Sequence, residues 1–257
     1  MVNTGIGNIL LECGSINKRI SETIGSMGNC IKPVDPLVAS LPRGITVDGS
    51  PIKESGVPII FVIGAPGSGK KTLCTKVAQK YGFHGIITSE ILRSEVSKRT
   101  DRAFVLARLI SQGRLVPSDI LIELITVKML DQLQDGKGFI VSGFPREKQQ
   151  CKIFDREIRP PDLVLFLDVR NSVLSDRIMA RSVKTTERMS ISFDNIRIQI
   201  KEFKKQNKPV IKHYQNLLVV IDGEYDVMTV FKNICKVIDD VLFNFSKNSA
   251  TTSADNS

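Results

Sequence analysis

Residues 58–72 read PIIFVIGAPGSGKKT, and the fold follows from how that stretch divides. Its first six residues are apolar without alternation, the pattern of a short strand buried on both faces. The next seven, Gly64-Ala65-Pro66-Gly67-Ser68-Gly69-Lys70, match G-x-x-x-x-G-K at a strand-to-helix junction. Glycines there let the backbone curl until successive N–H groups point inward as an anion nest. The helix that follows adds its positive N-terminus, and the lysine reaches the phosphates. The general motif continues with Ser or Thr; this chain has Lys71, with Thr72 one place later.

Outward from the loop, the same kind of apolar run recurs at 85–88, 139–142, 163–169 and 217–222. Helical patterns fill the spaces between: 70–81, 89–98, 102–112, 118–133, 147–157, 172–181, 194–215 and 225–242. Short apolar strands separated by helices imply right-handed crossovers and a parallel sheet covered on both faces. The expectation is an α/β domain with a doubly wound five-stranded parallel sheet of the P-loop NTPase type, with its ligands beyond the carboxyl ends of the strands. Residues 1–54 are rich in Gly, Ser, Asn and Pro and read as an irregular N-terminal extension. Residues 55–245 read as the folded domain, and 246–257 (SKNSATTSADNS) as a disordered tail.

Composition narrows the class. At 257 residues, 42% hydrophobic and 25% charged, the chain is neither collagen-like nor wholly disordered. No run approaches the roughly 18–20 apolar residues of a membrane span, and no secretory leader is visible, so a membrane partner is not expected. Cys13, Cys30, Cys74, Cys151 and Cys235 are scattered and lack C-x-x-C spacing. That argues against a disulfide framework or a thiolate metal site and for a reducing, cytoplasmic setting. The net charge of +9 asks for an anionic partner, and nucleic acid, acidic lipid and nucleotide phosphate all answer that description. Nucleic acid is not the expectation: the basic run 201–208 stands in a chain with no Trp and three Tyr, without a stacking pattern. Met27-Gly28-Asn29-Cys30 would carry a two-signal lipid anchor if the chain began at Met27, but Lys32 stands where Ser or Thr is usual. Within the full chain that stretch reads as an ordinary loop. His84 and His213 read as structural.

Several short motifs, in order, accompany the loop: Tyr81-Gly82, Leu92-Arg93-Ser94-Glu95-Val96, Gly113-Arg114-Leu115-Val116-Pro117 and Gly143-Phe144-Pro145-Arg146. Together the motifs resemble those of the adenylate kinases and related nucleoside-monophosphate kinases, over about residues 57–242. The resemblance implies a helical arm over the monophosphate and a lid over ATP. The lid would lie between Arg181 and Asp194, in a short form without a zinc knuckle. It implies transfer of a phosphoryl group from ATP to AMP, with Mg²⁺ accompanying ATP, by a monomer. Gly64, Gly67, Ser68, Gly69, Lys70, Lys71, Thr72, Arg177 and Arg181 would then bind ATP. Thr88, Arg93, Leu115, Val116, Gly143, Arg146 and Gln150 would bind AMP, with Lys70, Arg146 and the lid's Arg188 catalytic. No residue of the chain is assigned as a direct metal ligand.

The chain also departs from that family at identifiable places. Ser142 stands where the family has the aspartate that helps hold Mg²⁺ through water. Gln199 stands where it has a second catalytic arginine. Arg197 lies about 200° around the helix from that position and would point away. Ser190-Ile191 replaces the lid's Asp-Asp, Thr88-Ser89-Glu90 replaces Thr-Gly-Asp, and Lys71 replaces a glycine in a family loop of the form G-x-P-G-x-G-K-G-T, where Thr72 keeps the family's place. Two functions therefore stand: an adenylate kinase with impaired catalysis, and a catalytically deficient nucleotide-binding or scaffold protein on the same fold.

Overall fold

The computed structural model describes residues 36–39, 41, 47–134, 136–184 and 193–254. Two compact units divide the chain between Ala39 and Ser40. In the first, the described residues form a single helical turn, Pro36–Ala39. The second carries everything that follows.

Apolar runs become strands where the pattern predicts them: β1 (Ile59–Gly64), β2 (His84–Ile87), β3 (Phe139–Ser142), β4 (Leu163–Asp168) and β5 (Leu218–Asp222). They form one sheet in the order β2-β3-β1-β4-β5, every pair parallel. All six residues of β1 are buried, as a central strand covered on both faces requires. The helices are α1 (Ser50–Glu54), α2 (Lys70–Tyr81), α3 (Thr88–Ser97), α4 (Asp101–Ser111), α5 (Ser118–Asp131), α6 (Lys148–Glu157), α7 (Asn171–Lys184), α8 (Phe193–His213) and α9 (Val227–Ala254). The register aligns Val62 and Ile87 with Ser142, Gly64 with Leu167 and Asp168 with Asp222, so the strands end together at one edge. The chain leaves β1 toward β2 and later returns past it to β4. The reversal of strand order thus falls beside the loop that follows β1.

Differences from the sequence pattern lie at element ends. Thr88, expected as the last residue of the second strand, opens α3 instead. The last helix, expected to end at 242, continues to Ala254, so the expected disordered tail is helical backbone over most of its length. No Gly or Pro occurs between residues 243 and 254 to stop it. The extension expected through residue 54 is ordered at its end. Gly49 packs so closely on α6 that a Cβ there would meet the Glu157 carbonyl oxygen at 2.6 Å, and Ile52 is 0% exposed. One buried isoleucine in a five-residue helix is too short a signal for periodicity. Arg188, Ser190 and Ile191 lie outside the described residues.

Two clusters hold the edge that matters. Phe61 on β1 meets the rings of Phe144, Phe154 and Tyr214 edge-on at 5.4, 5.1 and 5.9 Å. Asp155 of α6 then accepts hydrogen bonds from the Tyr214 hydroxyl (2.7 Å) and lies 2.7 Å from His213 Nε2, which binds α6 to the end of α8. On the other face, α9 lies along α2, where the Tyr81 hydroxyl donates to the Cys235 carbonyl (3.1 Å) and to Asp239 (2.6 Å). Among the described residues no helix is long and apolar enough to cross a membrane. Phe61→Ala would remove a fully buried ring from under the segment 143–146. A loss of about 3–5 kcal/mol of stability is expected, measured by denaturant unfolding.

Candidate active site

The loop after β1 owes its shape to two close approaches. Gly67 has φ +86° and sits against α7, where a Cβ would meet the Leu174 carbonyl oxygen at 2.9 Å and Ile178 at 3.0 Å. Only glycine satisfies both the left-handed backbone and the missing space. Ala65 packs into the cluster of Val169, Leu174, Ile178, Ile196 and Ile200, which joins the loop to α7 and the first turns of α8. Lys70 then closes the loop: its ammonium donates to the carbonyls of Gly64 (2.7 Å) and Ala65 (2.8 Å) and to Ser68 Oγ (3.3 Å). Gly69 turns left-handed at the start of α2, and Ser68 is buried beneath.

Burial pushes the Lys70 pKa down to about 8, and the positive charges of Arg146 and Arg181 push it the same way. Three cations therefore share one field at the strand-end edge, an arrangement that a bound polyanion relieves. Arg146 stands at the opening, with its Nε donating to the Gly143 carbonyl at 3.3 Å, and surrounding protein lowers its pKa. Its backbone N–H donates to Gln150 Oε1 (2.8 Å). Gln150 is buried, and its amide oxygen shapes the turn.

Gly143 has φ +79°, and a Cβ there would collide with Thr88 Oγ1 at 2.6 Å. The Thr88 hydroxyl donates to the Ser142 carbonyl (3.0 Å), binding the ends of β2 and β3. Ser142 is itself 4% exposed and lies near the Cys74 thiol, whose pKa burial pushes up to about 12. Leu115 is half-buried and Val116 buried, on the turn into α5. The Ser118 hydroxyl fastens that turn to Glu147 (2.6 Å). Arg93 is exposed on α3. Its arm is braced by Arg102, which pairs with Glu95 at 3.3 Å and Glu123 at 3.0 Å.

Other candidate residues lie around this cluster. Arg177 donates to the carbonyls of Gly223 (2.9 Å) and Glu224 (3.3 Å), holding the turn after β5 rather than reaching the loop. Arg181 is exposed one turn further along α7, and Gln199 is exposed on α8. Lys71 pairs with Glu90 at 2.5 Å, and Arg170 with Glu224 at 2.6 Å. Residue-type patterns point to none of these pairings, nor to Ser142–Cys74 or Ser118–Glu147. The one available signal is that Lys71 and Glu90 both depart from the family motif. Among the described residues no three His, Cys, Asp or Glu side chains converge to hold a metal ion.

A family model described as adenylate kinase matches residues 62–219. Adenylate kinase isoenzyme 1 of Homo sapiens is 35% identical over 183 residues, covering 70% of this chain and 94% of the relative. The isoenzyme 1 of Rattus norvegicus is 34% identical with the same coverage. That of Caenorhabditis elegans is 35% identical over 193 residues, or 74% of this chain and 91% of the relative.

The lowered Lys70 pKa predicts a pH-dependent affinity for ATP. Phosphate favours the ammonium and raises its pKa again, so above pH 8 binding requires a proton to be taken up. ATP affinity measured by calorimetry is expected to fall about tenfold between pH 7 and 9. Lys70→Met should bind weakly at both and flatten the profile.

Proposed function

The chain belongs to the adenylate kinase family, and from that premise we propose that it is a nucleoside-monophosphate kinase transferring a phosphoryl group reversibly from ATP to AMP. The observation that carries the reading is the glycine-cradled loop after β1, closed by the Lys70 ammonium on the Gly64 and Ala65 carbonyls, with Arg146 held to the Gly143 carbonyl at the same strand-end edge. Such transfer needs little covalent chemistry from the protein. It needs two polyanions held in line and the charge on the moving group neutralised.

The residues divide that work. The N–H groups from Gly64 to Thr72, with Ser68 and Lys70, hold the ATP phosphates, and Lys70 moves with the transferred group. Arg146 reaches between the two nucleotides, with Arg93 on the AMP phosphate. Thr88, Leu115, Val116, Gly143 and Gln150 shape the AMP pocket, whose floor is the braced turn of residues 143–150. Arg181, and Arg188 in the lid, neutralise the ATP side. Arg177 acts through the turn after β5, which it binds at two carbonyls. Adenylate kinases use ATP with a divalent ion; we take that ion to be Mg²⁺, arriving as part of the ATP complex. Ser142 offers no carboxylate to hold it at the β3 end. One chain carries both sides of the site, which supports action as a monomer, and the scattered cysteines support a cytoplasmic setting.

Ser142 and Gln199 each remove a charge that the family uses, and loss of one transition-state arginine alone lowers rates by roughly 10³-fold or more. Those same two residues favour the second reading, a nucleotide-binding scaffold. Full-length protein assayed for ADP from Mg²⁺, ATP and AMP should turn over at least about a hundredfold more slowly than its Gln199→Arg/Ser142→Asp variant. Equal rates would mean that other groups of the chain replace the lost charges. Silence from both, with nucleotide still bound, would favour the scaffold.

A further inference from the structure

Lys148, Lys208, Pro209, Lys212 and His213 line a surface hollow of about 550 Å³ between the start of α6 and the last turns of α8. Lys208 and Lys212 stand one helical turn apart on α8, and Lys148 closes the hollow from the first turn of α6. The wall between them is fixed. Asp155 of α6 holds the His213 ring at Nε2 and the Tyr214 hydroxyl, each at 2.7 Å, so the helices cannot slide without breaking those bonds. A hollow of this size is in the range of small-molecule sites. The phosphate loop lies elsewhere: Ile200, clustered with Ala65, comes eight residues before Lys208, roughly 12 Å along the helix.

What distinguishes the hollow is its charge. Several lysines elsewhere have acidic partners: Lys71 pairs with Glu90, Lys80 with Asp239 and Lys98 with Glu95. Lys148, Lys208 and Lys212 are exposed and pair with no carboxylate among the described residues. Nearby carboxylates are already engaged. Glu147 accepts from Ser118 (2.6 Å), and Asp155 is committed to Tyr214 and His213. Glu202 comes six residues before Lys208 and therefore lies about 240° around α8. Lys152 and Lys205 are exposed about one turn away on α6 and α8 and add to the same field. Like charges at such spacings repel, and a bound anion relieves the repulsion. Three ammoniums at one rim suit a ligand that packs several negative charges into a few ångströms. A chain of two or three phosphates does so, whereas carboxylates strung along an acidic peptide do not. Lysine binds phosphate as a point charge, without a fixed orientation.

We propose that the hollow between α6 and α8 is a second anion site, separate from the phosphate loop, which binds the polyphosphate chain of a small molecule through Lys148, Lys208 and Lys212. The inference goes beyond the kinase reading and stands independently of it, since none of these residues belongs to the loop. Inorganic polyphosphate and the phosphate tail of a nucleotide share the chemistry that the site recognises. Lys148 comes between Arg146 and Gln150 in the chain, so an occupant rests beside the turn that shapes the monophosphate pocket.

The chain has two histidines, which makes a site-specific test possible. Inorganic tripolyphosphate is titrated into the full chain at constant ionic strength while the imidazole resonances are followed by NMR. The His213 resonance should move saturably, and that of His84, on β2, should stay. Lys208→Gln/Lys212→Gln, which changes two exposed side chains, should weaken the His213 response about tenfold or more. Lys70→Met, which disables the loop, should leave the response in place. ATP used instead of tripolyphosphate identifies the source. Equal affinity assigns the site to the phosphate chain alone, a tenfold preference for ATP assigns it to nucleotides, and both uphold the proposal. Orthophosphate should bind about tenfold more weakly or worse; an equal response to it reduces the hollow to general ionic attraction and overturns the proposal. So does a His213 resonance that does not move, or a response that the double lysine variant keeps in full. A response that Lys70→Met abolishes, with the His84 resonance still native, assigns the binding to the loop and overturns the proposal as well.

Discussion

The contact between the Gly67 backbone and the Leu174 carbonyl of α7 sets the position of almost everything else at the nucleotide edge. A phosphate loop works only if its amides are aimed before the anion arrives, and amides on a bare turn would have no fixed aim. Here the turn is pressed from one side by α7 and drawn back from the other by the Lys70 ammonium. The apolar residues around Ala65 extend that constraint to α8. The loop, α7 and the first turns of α8 are thus referenced to one short piece of backbone. The monophosphate side is tied in separately, through the Phe61 ring beneath Phe144 and the Thr88–Ser142 hydrogen bond.

How much of this could be read from residue order depends on whether the cause is local. β1, β3 and β4 carry runs of three to five consecutive large apolar residues, the pattern that burial on both faces calls for. The loop is local as well, since its glycines, lysine and flanking elements all fall within fifteen residues. Helix ends were less legible where no Gly or Pro marks them, as beyond residue 242, and where one residue such as Ile52 provides the whole apolar signal. The partners of the site's charges were not legible. Arg177 lies beside Arg181 in any helical projection, yet it is spent on two carbonyls of the turn after β5. Only the folded sheet brings that turn within its reach.

The departures at Lys71, Glu90 and Ser142 gain meaning from their placement. In the sequence they are three unrelated exceptions spread across two strand ends and a helix. In the sheet order β2-β3-β1 they come from neighbouring strand ends, where Lys71 adds a cation, Glu90 keeps a carboxylate and Ser142 removes one. Fields add over distance in a way that residue spacing does not express. Substitutions that look like decay singly can amount to a changed electrostatic design.

The course of α9 has a practical side. It starts at the nucleotide edge after β5, lies along α2, and by residues 241–245 has reached Pro160, Pro161 and Leu217, at the amino ends of β4 and β5. Its 28 residues amount to roughly 42 Å of helix, against roughly 17 Å for a five-residue strand. The final turns therefore project from the side of the sheet opposite the cleft. A fluorophore or tether attached on those final turns would stand clear of the edge where the strands end, which makes them a natural handle for immobilising the protein.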